Sequence, residues 1–219
     1  MTAPPAGEPG TVAPEKGPGT GKRSMNSLVE FVLIVVVALG LALAIQAWIV
    51  KPFRIPSGSM EPTLDIGQRV LVDRVSGHFG DPGRGDIVVF HPPKGAESDT
   101  EKCGVPRPNN EPCPRGTSAE GGANFIKRVV AVPGDHVKVI DNHAYVNGKR
   151  QKESFARTQP CTEVCNLPKE ITIPPDSFFM MGDNRGESDD SRDWGPVPKK
   201  WIVGHAFFTY WPPKRIGIL

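Results

Sequence analysis

The chain has 219 residues, a formal net charge of +2 at neutral pH, and 24 glycines and 24 prolines. That length holds one membrane segment and one soluble domain. So weak a charge, with no basic cluster interleaved with aromatics, excludes a nucleic-acid binder. No internal repeat, Walker A loop, dinucleotide fingerprint or HExxH motif is present, so neither cofactor nor metal is expected.

Residues 1–26 form a Pro/Gly/Ala/Thr-rich tail with almost no large apolar side chain and are expected to be disordered. Residues 27–50 carry the apolar run Leu28–Val50, about 34 Å long as a helix and enough to cross a hydrocarbon core of about 30 Å. Glu30 and Gln46 interrupt it only near its ends, and Trp48 suits an interface. The run is too long for the apolar core of a cleaved leader, which favours a retained anchor. Lys16, Lys22 and Arg23 precede it and Lys51 and Arg54 follow it, a slight lean towards a cytoplasmic N-terminus.

Directly after the span comes Arg54-Ile-Pro-Ser-Gly-Ser-Met-Glu-Pro-Thr-Leu64. Two prolines and a glycine make a rigid, shaped turn in which a serine hydroxyl and amide can be aimed into a site; the plain alternative is a linker. All four cysteines, Cys103, Cys113, Cys161 and Cys165, follow the span, as local disulfides in an oxidising compartment would. A four-cysteine zinc site lacks its CxxC pair, and reduced thiols remain open. Pairing within each couple is the simplest expectation, though spacing does not fix connectivity.

The rest reads as short strands between turns: Val70–Val72, Ile87–Phe90, Phe125–Val132, a hairpin of Val137–Ile140 and Ala144–Val146 around Asp141-Asn142, a turn at Asn147-Gly148, Ser177–Met181, and an aromatic strand pair over Trp201–Trp211. Pro92–Ala123 is a polar, Pro-rich loop or ribbon. No long amphipathic helix follows Val50, so residues 51–219 are expected to be mainly β, with a second β region around 136–176. Trp201, Phe207, Phe208 and Trp211 could serve a membrane surface or the core alike.

Two stretches are chemically unusual. In Phe125-Ile-Lys-Arg-Val-Val130, Lys127 and Arg128 sit among apolar neighbours. The plain reading is an edge strand guarded by charge; the other is a desolvated base. A free lysine, of pKa about 10.4, is neutral in roughly one molecule in 2,500 at pH 7, and burial can lower that pKa by about 3 or more. In Met180–Arg192, Asp183, Asp189, Asp190 and Asp193 could ligate calcium, but the EF-hand order is absent and Arg185 and Arg192 interleave. An internally paired loop supporting a site fits better than a merely solvated one.

PSGSMEPTL, RGDIVVF, NFIKRVVAVPGD and MGDNRGESDDSR occur in the order found in bacterial type I signal peptidases, which the chain resembles over most of Phe53–Trp194. The resemblance implies a β-sheet or barrel catalytic domain behind one transmembrane helix. It implies Ser59 as nucleophile, Lys127 as general base, and Ser57 with the Ser59 amide as oxyanion hole. Ser188 corresponds to the serine that orients the lysine, Asp190 and Arg192 to a supporting ion pair, and Arg128 to a structural arginine. Phe53, Ile55, Pro56, Met60, Leu64, Phe125 and Ile126 match positions lining small substrate pockets. The implied partners are the signal peptides of preproteins, cut after Ala-x-Ala-like residues, and the bilayer, with a monomeric enzyme on the extracytoplasmic face. Gly186-Glu187 departs from the usual Asp-Asn and is given no role, and the stretch between Asp135 and Met181 is short, implying a reduced second β region. A self-cleaving repressor-type Ser-Lys protease and a membrane-tethered binding domain are the competing readings.

Overall fold

A computed structural model describes residues 26–75, 77, 80–97, 102–106, 113–160 and 165–219, with backbone alone at 46–48. All but the last residue of the expected tail lies outside the described residues, as does Cys161. The helix as far as Leu41 is one compact unit and residues 42–219 form the other.

Helix α1 (Ser27–Trp48) is long and apolar enough to cross a membrane, and its described side chains to Ile45 are all exposed. It stops at Trp48, two residues short of the apolar run's end. Pro52 explains this: proline donates no amide and biases Lys51 away from helical angles, so Val50 opens a strand instead.

Among the described residues, twelve strands form two sheets. The strands are β1 (Val50–Arg54), β2 (Arg69–Asp73), β3 (Ile87–Phe90), β4 (Phe125–Ala131), β5 (His136–Ile140), β6 (His143–Val146), β7 (Lys149–Arg150), β8 (Leu167–Thr172), β9 (Ser177–Met181), β10 (Val197–Pro198), β11 (Ile202–Trp211) and β12 (Gly217–Ile218). The larger sheet runs β1-β2-β11-β3-β4-β9-β10, with β12 added on β11, and the smaller runs β7-β6-β5-β8. The mainly β fold is as expected. One short helix, α2 (Ser191–Trp194), follows β9.

The strands follow from their residues. β3 is buried along its whole length, as befits an unbroken Ile-Val-Val-Phe run inside a sheet. Asp141 and Asn142, at φ 50° and 64°, make the tight turn between β5 and β6. Asn147 (φ 51°) and Gly148 (φ 76°) turn β6 into β7. The expected strand pair over 201–211 is instead one ten-residue strand, β11, preceded by a 3-10 turn at Lys199–Trp201. No turn residue divides it. Gly204 lies against the carbonyl oxygen of Asp73, where a Cβ would come within 2.1 Å, at a register shift rather than a reversal. Trp201 is buried in the core, whereas Phe207 and Trp211 are exposed.

Three apolar clusters fix the position of the site. Ile55, Met60 and Leu64 pack with Val70, Val72, Ile87, Val89 and Ile126. Val88, Phe90, Val129, Met180, Trp194 and Trp201 form a second cluster. A third joins the small sheet (Val137, Val139, Ala144, Val146, Leu167) to Val130, Ala131, Phe179 and Met181 of β4 and β9. Strand β4 contributes to all three, so whatever it carries is held from several sides.

Candidate active site

Lys127 lies on β4 opposite Val88, between strands β3 and β9, and is only 3% exposed. It is therefore no edge-strand guard. Alternation along the strand puts its side chain beside Phe125, whose ring centroid is 5.9 Å from Nζ. Nζ donates to the hydroxyl of Ser188 at 3.0 Å. Burial pushes the lysine pKa down to about 8, with the Arg192 charge acting in the same direction and Asp190, Asp189 and Asp183 opposing.

Behind that amine the loop after β9 is closed upon itself. Ser188 donates to Asp190 Oδ2 at 2.9 Å. The same carboxylate takes a two-armed contact from Arg192, Nε to Oδ1 and Nη2 to Oδ2, each 2.8 Å, and accepts the Gly182 amide at 3.0 Å. Asp190 and Arg192 are both fully buried. Burial raises the Asp190 pKa, but the Arg192 charge and hydrogen bonds win and hold it below the usual carboxylate range. Arg192 also donates to Asn142 Oδ1 at 2.9 Å. The loop is thus internally paired, as read from its interleaved charges, and among the described residues no cluster of three or more His, Cys, Asp or Glu could hold a metal ion.

The Pro56–Leu64 segment folds as a 3-10 turn, Gly58–Met60, anchored by Met60 and Leu64 in the core. Asn184 grips it twice: its amide donates to the Ser59 carbonyl at 3.0 Å and its Nδ2 to the Gly58 carbonyl at 3.1 Å. Thr63 Oγ1 donates to Asp183 at 2.5 Å, and Asp183 pairs with Arg128 through two contacts of 2.9 and 2.6 Å. Gly182 is pressed between the two halves, since a Cβ there would lie 2.2 Å from Ser188 Oγ and 2.4 Å from the Ser59 carbonyl oxygen.

Ser57, Ser59 and Lys127 line one cavity of about 520 Å³, together with Pro56, Phe125 and Ile126. Ser57 is exposed, with its Oγ 3.5 Å from that of Ser59. Phe53, Ile55, Met60 and Leu64 are not brought to the cavity wall; Ile55, Met60 and Leu64 are core residues beneath the turn. Ser188, Asp190 and Arg192 stand behind Lys127, and Arg128 serves Asp183. Glu187, given no role from sequence, lines the cavity and accepts from Asn184 at 2.9 Å. Sequence reasoning passed over Asn142, Glu153 and Asn184. Glu153 accepts from fully buried Arg185 at 2.6 Å. The sequence carried no signal for them, since Arg185 and Arg192 stand among acids there and only the fold buries both and brings Asn142 and Glu153 to them.

The Cys103–Cys113 couple is a disulfide. Cys165 is also disulfide-bonded, while the expected pairing with Cys161 falls on a residue outside those described.

A family model described as "Signal peptidase, peptidase S26" matches residues 28–211. The chain belongs to the signal peptidase family. It is 38% identical over 190 residues to the probable signal peptidase I-1 of Synechocystis sp., covering 87% of this chain and 86% of that protein. The probable signal peptidase I-2 of the same organism is 35% identical over 198 residues, 89% of this chain and 78% of that one. The probable thylakoidal processing peptidase 2 of Arabidopsis thaliana is 34% identical over 202 residues, 92% of this chain and 49% of that one. As a member of the family the chain is a serine peptidase that removes signal peptides.

Proposed function

We propose that this signal peptidase works by a Ser59–Lys127 dyad. Ser59 attacks the scissile carbonyl, and Lys127 takes the hydroxyl proton and returns it to the departing amine. Water then hydrolyses the acyl-enzyme with the same lysine as base. The observation that carries this reading is a lysine amine, buried and held near pKa 8, in the same cavity as a serine on a rigid turn. At pH 7 such an amine is neutral in about one molecule in ten, roughly 200-fold more often than a free lysine. Ser188 and Asp190 orient it, with Arg192 holding the carboxylate.

The oxyanion is received by Ser57 Oγ and the Ser59 amide, which sits in a first turn whose N–H groups have no partner within the turn. The peptide lies extended in the cavity between the turn and β4, and its walls select Ala-x-Ala-like residues. Helix α1 anchors the enzyme, with its N-terminus cytoplasmic and residues 51–219 on the extracytoplasmic face.

The test is cleavage of a synthetic signal-peptide substrate by the full chain in detergent. Ser59→Ala and Lys127→Ala are expected to abolish turnover and Ser57→Ala to slow it by about 10² to 10³. Undiminished turnover by Lys127→Ala overturns the dyad. Failure of a serine-directed acylating probe to label Ser59 would count against Ser59 as the nucleophile.

A further inference from the structure

Outside the dyad, a basic side chain sits on the outer edge of the loop that carries Ser188. Lys102 Nζ lies 2.9 Å from Asp193 and 3.4 Å from Asp189, and is largely buried at 16% exposure. Burial works against its charge, yet the hydrogen bond and charge of Asp193 outweigh this and hold its pKa above the ordinary lysine range. Asp189 and Asp193 bracket Asp190, and Asp189 lines the same cavity as Lys127.

The backbone holding Lys102 is itself fastened. Cys103, its neighbour, is bonded to Cys113. Cys103 bridges Gly116, and the Gly104 amide donates to the Arg115 carbonyl at 2.9 Å. This ribbon lies directly on the end of α2: Gly195, at φ 84°, approaches Cys113 so closely that a Cβ would meet its carbonyl oxygen at 2.5 Å. Lys102 is thus held to the loop by charge, and the disulfide ties its neighbour Cys103 to Cys113, which packs on Gly195 at the end of α2.

We infer that Lys102, fastened by the Cys103–Cys113 disulfide, is a positioning residue for the peptidase reaction, locking and neutralising the Asp189–Asp193 edge of the loop that presents Ser188 to the catalytic amine. The inference rests on the Ser59–Lys127 reading. Lys127 is faced by Asp183, Ser188, Asp189 and Asp190 from the loop after β9, by Arg192 from α2, and by the Phe125 ring on its own strand. Glu187 and Ser59 share its cavity, and β3 offers only apolar Val88. Three of the carboxylates favour a protonated Lys127, while burial, the largest influence, and the Arg192 charge oppose them. Lys102 offsets Asp189. Without it the charge of that carboxylate, half-exposed as it is, is no longer offset and its loop is freer to admit water to the amine, and both changes hold the amine in its charged, inactive form to higher pH.

The deciding experiment is the pH profile of kcat/KM for the full chain in detergent, comparing wild type with Lys102→Met, Lys102→Arg, the Cys103→Ser/Cys113→Ser double variant and Lys127→Ala. Lys102→Met is expected to move the acidic limb towards alkaline pH, lowering activity about 3- to 10-fold at pH 7 and leaving the alkaline plateau near wild type. Lys102→Arg should restore the profile, and the double variant should shift it as Lys102→Met does. An inactive Lys127→Ala with an unmoved Lys102→Met profile, or an equal loss at every pH, overturns this inference alone. Turnover by Lys127→Ala overturns it together with the dyad.

Discussion

At the scale of single residues, Lys127 shows how chemistry and stability oppose each other. Its folded pKa, about 8, lies below that of an unfolded lysine, so between those values the unfolded chain binds the proton and the folded one does not. Stability should therefore rise as pH climbs from about 8 towards 10.4, and the buried charge is a liability of about 3 kcal/mol at neutral pH. Lys127→Met is expected to be inactive yet more stable than wild type at pH 7, with the gap closing above pH 10. Denaturant melts at the two pH values check this; a less stable methionine variant at pH 7 would contradict the burial account. If Lys127 is the base, as proposed, activity should follow the same titration, with kcat/KM increasing through about pH 8 on the acidic side. Asp190 is the reverse case. Asp190→Ala leaves Arg192 buried without its carboxylate and should destabilise by about 3–5 kcal/mol, read as a shift in the urea midpoint.

At the scale of elements, the site is a clasp between the Gly58–Met60 turn and the loop after β9, closed over β4. Gly182 is its hinge pin. A methyl at Gly182 must displace either Ser188 Oγ or the Ser59 carbonyl, and misplacements near 1 Å cost on the order of 10²-fold in rate. Gly182→Ala should therefore lose at least that much in kcat while remaining folded, as far-UV and near-UV dichroism would report. Much of this was legible. Each of the four motif blocks is an unbroken run, and three of them carry Ser59, Lys127, Ser188, Asp190 and Arg192. The Asn147-Gly148 turn follows from residues that tolerate positive φ. What was hidden is what the chain brings from afar: Asn142 reaches Arg192 across 50 positions and Glu153 reaches Arg185 across 32. Strand β1 was hidden for another reason. Pro52 argues against a strand, yet β1 is an edge, where an absent amide is tolerated. Strand β8 is likewise an edge, exposed at most positions, so hydrophobic alternation does not mark it.

At the scale of the whole molecule, β4 and β9 are hydrogen-bonded neighbours although residues 132–176 separate them in the chain. The small sheet is thus a detour that leaves the large sheet and returns one strand spacing away, about 4.8 Å. Its Asn147-Gly148 turn is exposed, with Asn147 bonded to His136 and Asp135, while Asn142, Glu153 and Arg157 touch the loop after β9. Inserting a short Gly/Ser segment after Gly148, which keeps Asn147 on His136 and Asp135, is expected to leave cleavage within about twofold of wild type, since lengthening a surface loop costs little. Replacing Glu153 by Ala should strand Arg185 in the core and lower stability by about 3–5 kcal/mol. Such a layout separates what can drift from what cannot. Added residues at the exposed turn would hang outward as a harmless appendage, while the buried arginines stay gripped from Asn142 and Glu153.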